Sequence, residues 1–182
     1  NFVTIYHSIL QSRKIFQIYP INIKKANVQS DLKIIYMSTI NIETNDEEKN
    51  IWKKYKFQII KDFSLIDKKE FWDTVVPNSN NDDKRLSLYR KLKLLLRFEI
   101  IKTLKEKFNN KLDLTGNNWS FYSFNSLPSN YNIKQNKKKY EGNICLDLGC
   151  IEGSSSLYSR SNQIIESGGL IIQNYQNDSK KI

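Results

Sequence analysis

Cys145-Leu-Asp-Leu-Gly149-Cys150-Ile-Glu-Gly153-Ser-Ser-Ser-Leu-Tyr158-Ser-Arg160 is the stretch that decides the fold. In it, an apolar run around an aspartate is followed by two glycines four residues apart and by three serines. This pattern is typical of a strand that leads into a glycine loop. The stretch lies late in the 182-residue sequence, because only 29 residues follow Gly153. Its interpretation therefore depends on the rest of the chain.

Taken alone, Leu146 to Gly153 resembles the cofactor-binding loop of a methyltransferase that uses S-adenosylmethionine. That resemblance implies that Asp147, Gly149 and Gly153 line the cofactor. A doubly wound sheet needs several more strand and helix units after its first glycine loop, and an acidic residue at the end of the second strand to bind the ribose. The residues after Gly153 offer neither, so we predict that such a domain is absent. A methyltransferase fragment remains an alternative.

The composition favours a polyanionic partner. The formal net charge is +10 and the sequence pI is about 9.5, which suits nucleic acid or an anionic membrane surface. No run approaches the roughly 18 apolar residues of a spanning helix, so we expect no membrane partner. Lysine, asparagine, isoleucine and tyrosine are abundant, which indicates AT-rich coding DNA and suggests a protist nuclear or organellar genome.

The cysteines and the histidine do not form a metal-binding pattern. Cys145 and Cys150 are the two cysteines, and His7, the one histidine, is far from them in sequence. A structural zinc site needs four ligands, typically two Cys-x-x-Cys pairs. We therefore predict no metal and no cofactor, and we expect free or buried thiols.

Three segments between residues 45 and 110 predict helices. The first follows Asn45 and places four apolar residues on one face: Trp52, Tyr55, Ile59 and Phe63. A capping box from Asp67 to Glu70 predicts a short second helix that Pro77 ends. The third segment, Lys84 to Asn110, lacks proline and glycine and predicts the longest helix. Three leucines of this segment share one face, which lies beside a row of cations. The leucines are Leu88, Leu92 and Leu95.

The first 80 residues contain no recognisable motif. Weak alternation before Thr44 predicts two or three strands or extended arms, including the run from Leu32 to Ile40. The polar tract from Asn78 to Asp83 predicts a linker. We therefore divide the chain into an extension, residues 1–80, and a C-terminal region, residues 81–182.

The basic segment from Ser129 to Gly142 is predicted to be an extended loop. It combines lysines with tyrosines, namely Lys134, Lys137, Lys138, Lys139, Tyr131 and Tyr140. Lysines neutralise phosphates and tyrosine rings stack on unpaired bases, so the segment suits RNA. A solvated surface loop explains the same residues equally well.

From Lys84 onward, the order of features resembles the universal S-fourteen family of small-subunit ribosomal proteins, in its bacterial and mitochondrial form. A basic helix containing Arg97 to Lys102 precedes an asparagine break at Asn109, and Ser126-Leu-Pro128 precedes the basic segment. The family pattern Cys-x3-Gly-x3-Gly-x4-aromatic-x2-Ser is reproduced without a gap by Cys145, Gly149, Gly153, Tyr158 and Ser161. The length from Cys145 to Ile182 also suits the family.

The resemblance implies a mostly α fold with irregular loops. Its parts would be an N-terminal α+β extension, residues 1–80, and an S-fourteen-like RNA-binding region, residues 81–182. That region would contain a long basic helix, a short helix, an extended RNA-binding loop and a small C-terminal module without zinc. The structural loop of this module would consist of Cys145, Gly149, Gly153 and Ser161.

The resemblance also implies a non-enzymatic constituent of the mitochondrial small ribosomal subunit, located in the matrix. Its partners would be small-subunit rRNA and the S-three, S-ten and S-nineteen family proteins of the subunit head. From charge placement we expect rRNA contacts at Arg97, Lys134, Lys137, Lys138, Lys139, Tyr140, Tyr158 and Arg160. An accessory subunit of another organellar complex is a further alternative.

Overall fold

The structure, a computed structural model, describes residues 31–77, 82–130, 132–148 and 159–173. These ranges are mostly helical and contain a small parallel sheet, so the mostly α prediction is confirmed at this level. The elements in chain order are β1 Ile34–Met37, α1 Asp46–Lys61, α2 Lys69–Val75, α3 Asp82–Phe108, β2 Leu112–Thr115, α4 Ile133–Tyr140, β3 Ile144–Asp147, α5 Ser159–Glu166 and β4 Leu170–Gln173. Short 3-10 turns occupy Phe63–Asp67, Asn109–Lys111 and Trp119–Tyr122.

The described residues form two compact units. One contains residues 41–102, and the other contains residues 31–40 and 103–173. Strand β1 therefore belongs with the C-terminal part of the chain, although it precedes the first helix. The predicted division into residues 1–80 and 81–182 stays a prediction.

The first unit is a small helical core, and the three predicted helices are confirmed. Trp52, Tyr55 and Ile59 of α1 are buried, as are Phe71 and Trp72 of α2. The predicted box at Asp67 to Glu70 is wrong, because Lys68 precedes α2 and no side chain caps this helix.

Helix α3 presents leucines to the same core. Leu88 and Leu92 are buried as predicted, but the third buried leucine is Leu96, and Leu95 is only partly buried. The spacing of eight residues between Leu88 and Leu96 keeps this row on one side of the helix.

The second unit is built on a four-stranded parallel sheet with the strand order β2-β1-β3-β4. Ile34 of β1 pairs with Leu112 of β2 and with Ile144 of β3, and Ile144 pairs with Leu170 of β4. All four strands run in the same direction. The chain passes from β1 to β2 on one side, and from β2 it crosses β1 to reach β3 and then β4 on the other side. A topological switch point therefore lies beside β1.

This sheet places the Cys145 stretch beside strands that the sequence analysis did not identify as its neighbours. We counted only the chain after Gly153, whereas β1 and β2, which precede the stretch, flank β3 on one side. The run from Leu32 to Ile40 contains β1, as predicted. The other predicted extended segments, around Phe16 to Ile23, lie outside the described residues.

The segment from Ser129 to Gly142 is not the predicted extended loop, because most of it forms α4. The side chain of Asn132 caps this helix by accepting a hydrogen bond from the Gln135 amide at 3.2 Å. Tyr140 is buried at its end. The mutual repulsion of the lysines on this helix is partly offset by an ion pair between Lys137 and Glu166 at 2.5 Å.

In the parts of the chain that the structure describes, no helix has the length and apolar character needed to span a bilayer.

Candidate ligand cavity at the carboxyl edge of the sheet

Close backbone packing joins the ends of β1 and β2. The Ser38 amide donates to the Thr115 carbonyl at 2.8 Å, and the Trp119 indole donates to the Ser38 carbonyl at 2.5 Å. Gly116 has φ +147°, and a Cβ added there would lie 2.0 Å from the Ser38 carbonyl oxygen. Only glycine tolerates both the backbone angle and the contact, so this edge is held in one arrangement.

Hydrogen bonds between side chains and backbone tie the segment before α4 to the same edge. The Ser129 amide donates to Asn117 Oδ1 at 3.1 Å, and the Asn117 amide donates to Thr39 Oγ1 at 3.3 Å. The hydroxyls of Thr39 and Ser129 lie 3.1 Å apart. The connection after β1 and the two ends of the connection between β2 and α4 thus form one cross-linked rim.

A cavity of about 360 Å³ opens at this rim. The ends of β1 and β2 and the amino-terminal halves of α4 and α5 supply most of its wall, which includes Ser38, Thr39, Thr115, Asn136, Arg160 and Gln163. Ligands of open parallel sheets bind outside the carboxyl ends of the strands, at the switch point. The volume is within the usual range for small-molecule sites, about 300 to 1,000 Å³.

Arg160 makes the cavity wall electropositive. The residues that line the cavity include this guanidinium and no carboxylate. Within the described ranges, Arg160 forms neither an ion pair nor a hydrogen bond. Its five N–H donors are therefore available to an anion.

Tyr140 closes the cavity on the side of the sheet. Its hydroxyl donates to Met37 Sδ at 3.2 Å, and the side chain is only 3% exposed. Burial raises the pKa of Tyr140 to about 12, although the nearby Arg160 charge acts in the opposite direction. The phenol is therefore neutral at ordinary pH and acts as part of the wall.

Asn136 contributes a fixed amide. Its Nδ2 donates to the Asn130 carbonyl at 3.0 Å, while its Oδ1 is buried without a hydrogen-bond partner among the described residues. An unsatisfied buried acceptor costs about 1 to 3 kcal/mol. A donor supplied by water or by a ligand would remove that cost.

A buried polar cluster fixes the first turn of α5 on the sheet. Ser161, with no exposed surface, donates to Asp147 Oδ2 at the end of β3 and lies 3.4 Å from Gln173 Oε1 at the end of β4. Asp147 and Gln173 are each 2% exposed. Because Arg160 directly precedes Ser161 in the chain, this cluster also fixes the position of the Arg160 backbone.

The predicted rRNA-binding residues have different positions. Lys134 and Lys138 are exposed on α4, but Lys137 is paired with Glu166 and Lys139 donates to Thr115 Oγ1 at 3.0 Å. Tyr140 is buried, so its ring is not available to stack on a base.

The remaining predicted residues are also dispersed. Arg97 is partly buried on α3 in the first unit, and Arg160 lines the cavity. Cys145 is a buried free thiol, and burial raises its pKa, so it is unreactive. Tyr158, Gly149 and Gly153, assigned to RNA contact and to the structural loop, lie outside the described residues, as does Cys150.

Sequence reasoning missed Ser38, Thr39, Thr115 and Asn136 as cavity residues. No local pattern identifies them, because parallel pairing of β1 with β2 is what brings the first three together. One signal in the sequence did indicate the place of the cavity. Asp147 ends an apolar run, and a polar residue there marks the carboxyl end of a strand and so the carboxyl edge of the sheet.

No group of three or more His, Cys, Asp or Glu side chains within the described ranges is placed to hold a metal ion. No protein-family model, no curated protein and no solved structure matches this chain. The resemblance to the S-fourteen family therefore stays a prediction.

Proposed function

We propose that the second unit binds a phosphorylated small molecule, of the nucleotide or sugar-phosphate class, in the cavity at the carboxyl edge of its sheet. The observation that carries this proposal is the Arg160 guanidinium, which lines a cavity without carboxylates and has no partner among the described residues. A guanidinium forms paired, charge-assisted hydrogen bonds with phosphate oxygens.

The helix geometry adds to the attraction for an anion. Arg160, in the first turn of α5, lines the cavity, so this helix begins there, whereas α4 lies along the cavity, which its last residue, Tyr140, also lines. The amino terminus of a helix carries a partial positive charge and unpaired amide donors.

Neutral polar groups supply the rest of the wall. Hydroxyls of Ser38, Thr39 and Ser129 and the amides of Asn130 and Gln163 surround the opening. The three hydroxyls already hydrogen-bond within the protein, but each has a further lone pair that can accept a hydrogen bond from the hydroxyl of a sugar. This favours a ligand that combines phosphate with sugar hydroxyls.

The cofactor of the methyltransferase alternative fits less well. Its ribose needs an acidic residue at the end of the strand after the glycine loop. That strand is β4, and it ends at Gln173, which is buried against Ser161. We therefore favour a phosphate ester over S-adenosylmethionine.

The test is calorimetric titration of the purified chain with inorganic phosphate, UMP and AMP, and with ribose as an uncharged comparison. We expect the phosphates to bind and ribose not to bind. R160Q should weaken phosphate binding by roughly tenfold to a hundredfold, since a hydrogen bond to a charged group contributes about 1.5 to 3 kcal/mol.

K138Q is the matched control, because it removes one positive charge from an exposed position on α4. It should bind phosphate like the native chain. Absence of binding to every phosphate, or equal losses in R160Q and K138Q, would refute the proposal.

The predicted rRNA-binding role in a mitochondrial small ribosomal subunit is a second candidate, and one observation favours it. Lys134 and Lys138 remain exposed on α4 in a chain of net charge +10. Such residues bind phosphate backbones by charge without a cavity. Retention of RNA binding in R160Q, with loss in variants of these lysines, would support it.

A further inference from the structure

We propose, on the basis of the proposed function, that Lys139 and Thr115 form a second phosphate-binding position in the same cavity. The preferred ligand would then be a diphosphate ester, such as a nucleoside diphosphate or its sugar derivative, and not a monophosphate. Lys139 would be the residue that determines this preference.

The surroundings of Lys139 differ from those of the other lysines on α4. Lys134 and Lys138 are exposed, and Lys137 is paired with Glu166. Lys139 is partly buried, and its Nζ donates to Thr115 Oγ1 at 3.0 Å. Among the described residues, it has no carboxylate partner within 4.0 Å.

A partly buried ammonium without a neighbouring carboxylate keeps its positive charge uncompensated by the protein and so attracts an anion. One of its three N–H donors is used by Thr115, and the others remain available. An anionic ligand would supply the missing charge.

Thr115 connects this charge to the cavity. Its Oγ1 accepts from Lys139, so the hydroxyl hydrogen is left to donate, and Thr115 is part of the cavity wall. A ligand oxygen at this position would receive the Thr115 hydroxyl and lie next to the Lys139 charge. The donating hydroxyl and the ammonium thus act on the same anion.

The two cations reach the cavity from different elements. Lys139 of α4 does not itself line the cavity but donates to Thr115 of its wall, at the end of β2, whereas Arg160 of α5 lines the cavity directly. Two separate positions for negative charge suit two linked phosphoryl groups better than one.

The experiment compares mono- and diphosphates on four proteins by calorimetry. The ligands are phosphate, pyrophosphate, UMP, UDP, AMP and ADP, and the proteins are the native chain, K139Q, K138Q and R160Q. We expect K139Q to weaken pyrophosphate, UDP and ADP by roughly tenfold or more, and the monophosphates by less than about threefold. K138Q should change neither set, and R160Q should weaken both.

T115V is a second variant that keeps every charge and removes only the hydroxyl. It should show the same selective loss for diphosphates, with a circular dichroism spectrum like that of the native chain. Equal losses for mono- and diphosphates in K139Q, or no loss, would overturn this inference while the effect of R160Q still supports the proposed function. No binding of any phosphate to the native chain would overturn both.

Discussion

Tyr140 is the residue at which burial and charge oppose each other most clearly. Burial raises its pKa from the ordinary 10.0 to about 12, despite the opposing charge of Arg160. Below about pH 10 the phenol is protonated in both the folded and the unfolded chain, so it does not make stability depend on pH. Between about pH 10 and 12 the unfolded chain releases the proton and the folded chain retains it. Folding stability must therefore fall as pH rises through this window.

We predict that Y140F removes this contribution. Between about pH 9 and 11, the free energy of unfolding should fall by roughly 1 kcal/mol more in the native chain than in the variant. Urea titrations at the two pH values measure the difference, and comparing the two proteins cancels the titration of the other tyrosines and lysines. Parallel losses in both proteins would show that Tyr140 is accessible to water.

The sequence identified some site residues but not their roles. Arg160 was predicted to bind phosphate from its charge alone, and it lines a cavity suited to an anion. Tyr140 was predicted to stack on a base, yet it is buried. Its burial follows from contacts with residues distant in sequence, since its hydroxyl donates to Met37 Sδ of β1 and its ring belongs to one cluster with Cys145 and Ile164. The local sequence of the segment does not show these contacts.

At the scale of elements, two segments have the sequence pattern of a capping box, but only one of them forms it. At Asn45 the capping box forms, since the Glu48 amide donates to Asn45 Oδ1 and the Asn45 amide donates to Glu48 Oε2, each at 2.9 Å. At Asp67 it does not form, because the carboxylate accepts from the Tyr89 hydroxyl at 2.9 Å and pairs with Lys93. Tertiary contacts from α3 decide the second case, and a local pattern cannot include them.

We predict that N45A lowers the free energy of unfolding by about 1 kcal/mol, because it removes the cap and leaves the buried Glu48 with one fewer partner. N50A is the control, since Asn50 is exposed in the interior of the same helix and alanine has the higher helix propensity. It should leave stability unchanged or raise it slightly. Urea denaturation of both variants measures the contrast, and equal destabilisation would mean that the cap contributes nothing.

Helix α4 was missed because its stabilising partners are distant in sequence. Lysines occupy four of its eight positions, and their charges repel one another unless partners compensate them. The structure provides Glu166 of α5 for Lys137, and Thr115 of β2 for Lys139. The one local signal was Asn132, whose side chain caps the helix.

At the scale of the whole molecule, the sheet is the feature that local patterns could not reveal. Each strand has four residues, and paired strands can be distant in sequence, as where Ile34 of β1 pairs with Ile144 of β3. Strands this short give weak periodicity, and parallel pairing has no turn to mark it. The apolar run around Asp147 and the run from Leu32 to Ile40 were visible in the sequence, but the pairing of the two was not.

The net charge of +10 acts at this same scale, and it must be separated from the cavity. A basic surface binds RNA by releasing counterions, so the logarithm of affinity falls with the logarithm of salt concentration by about 0.7 for each phosphate contact with a single strand. We predict that the double variant K134Q/K138Q reduces this slope by roughly 1.4 for a single-stranded RNA, because both lysines are exposed on α4. Filter binding over a series of salt concentrations measures the slope, and calorimetry with UDP should show unchanged affinity.

If the slope stays the same, these lysines do not contact RNA and the predicted rRNA-binding surface is not on α4. If the affinity for UDP falls together with the slope, the exposed lysines contribute to the electrostatic potential in the cavity. The phosphate site then cannot be assigned to Arg160 and Lys139 alone.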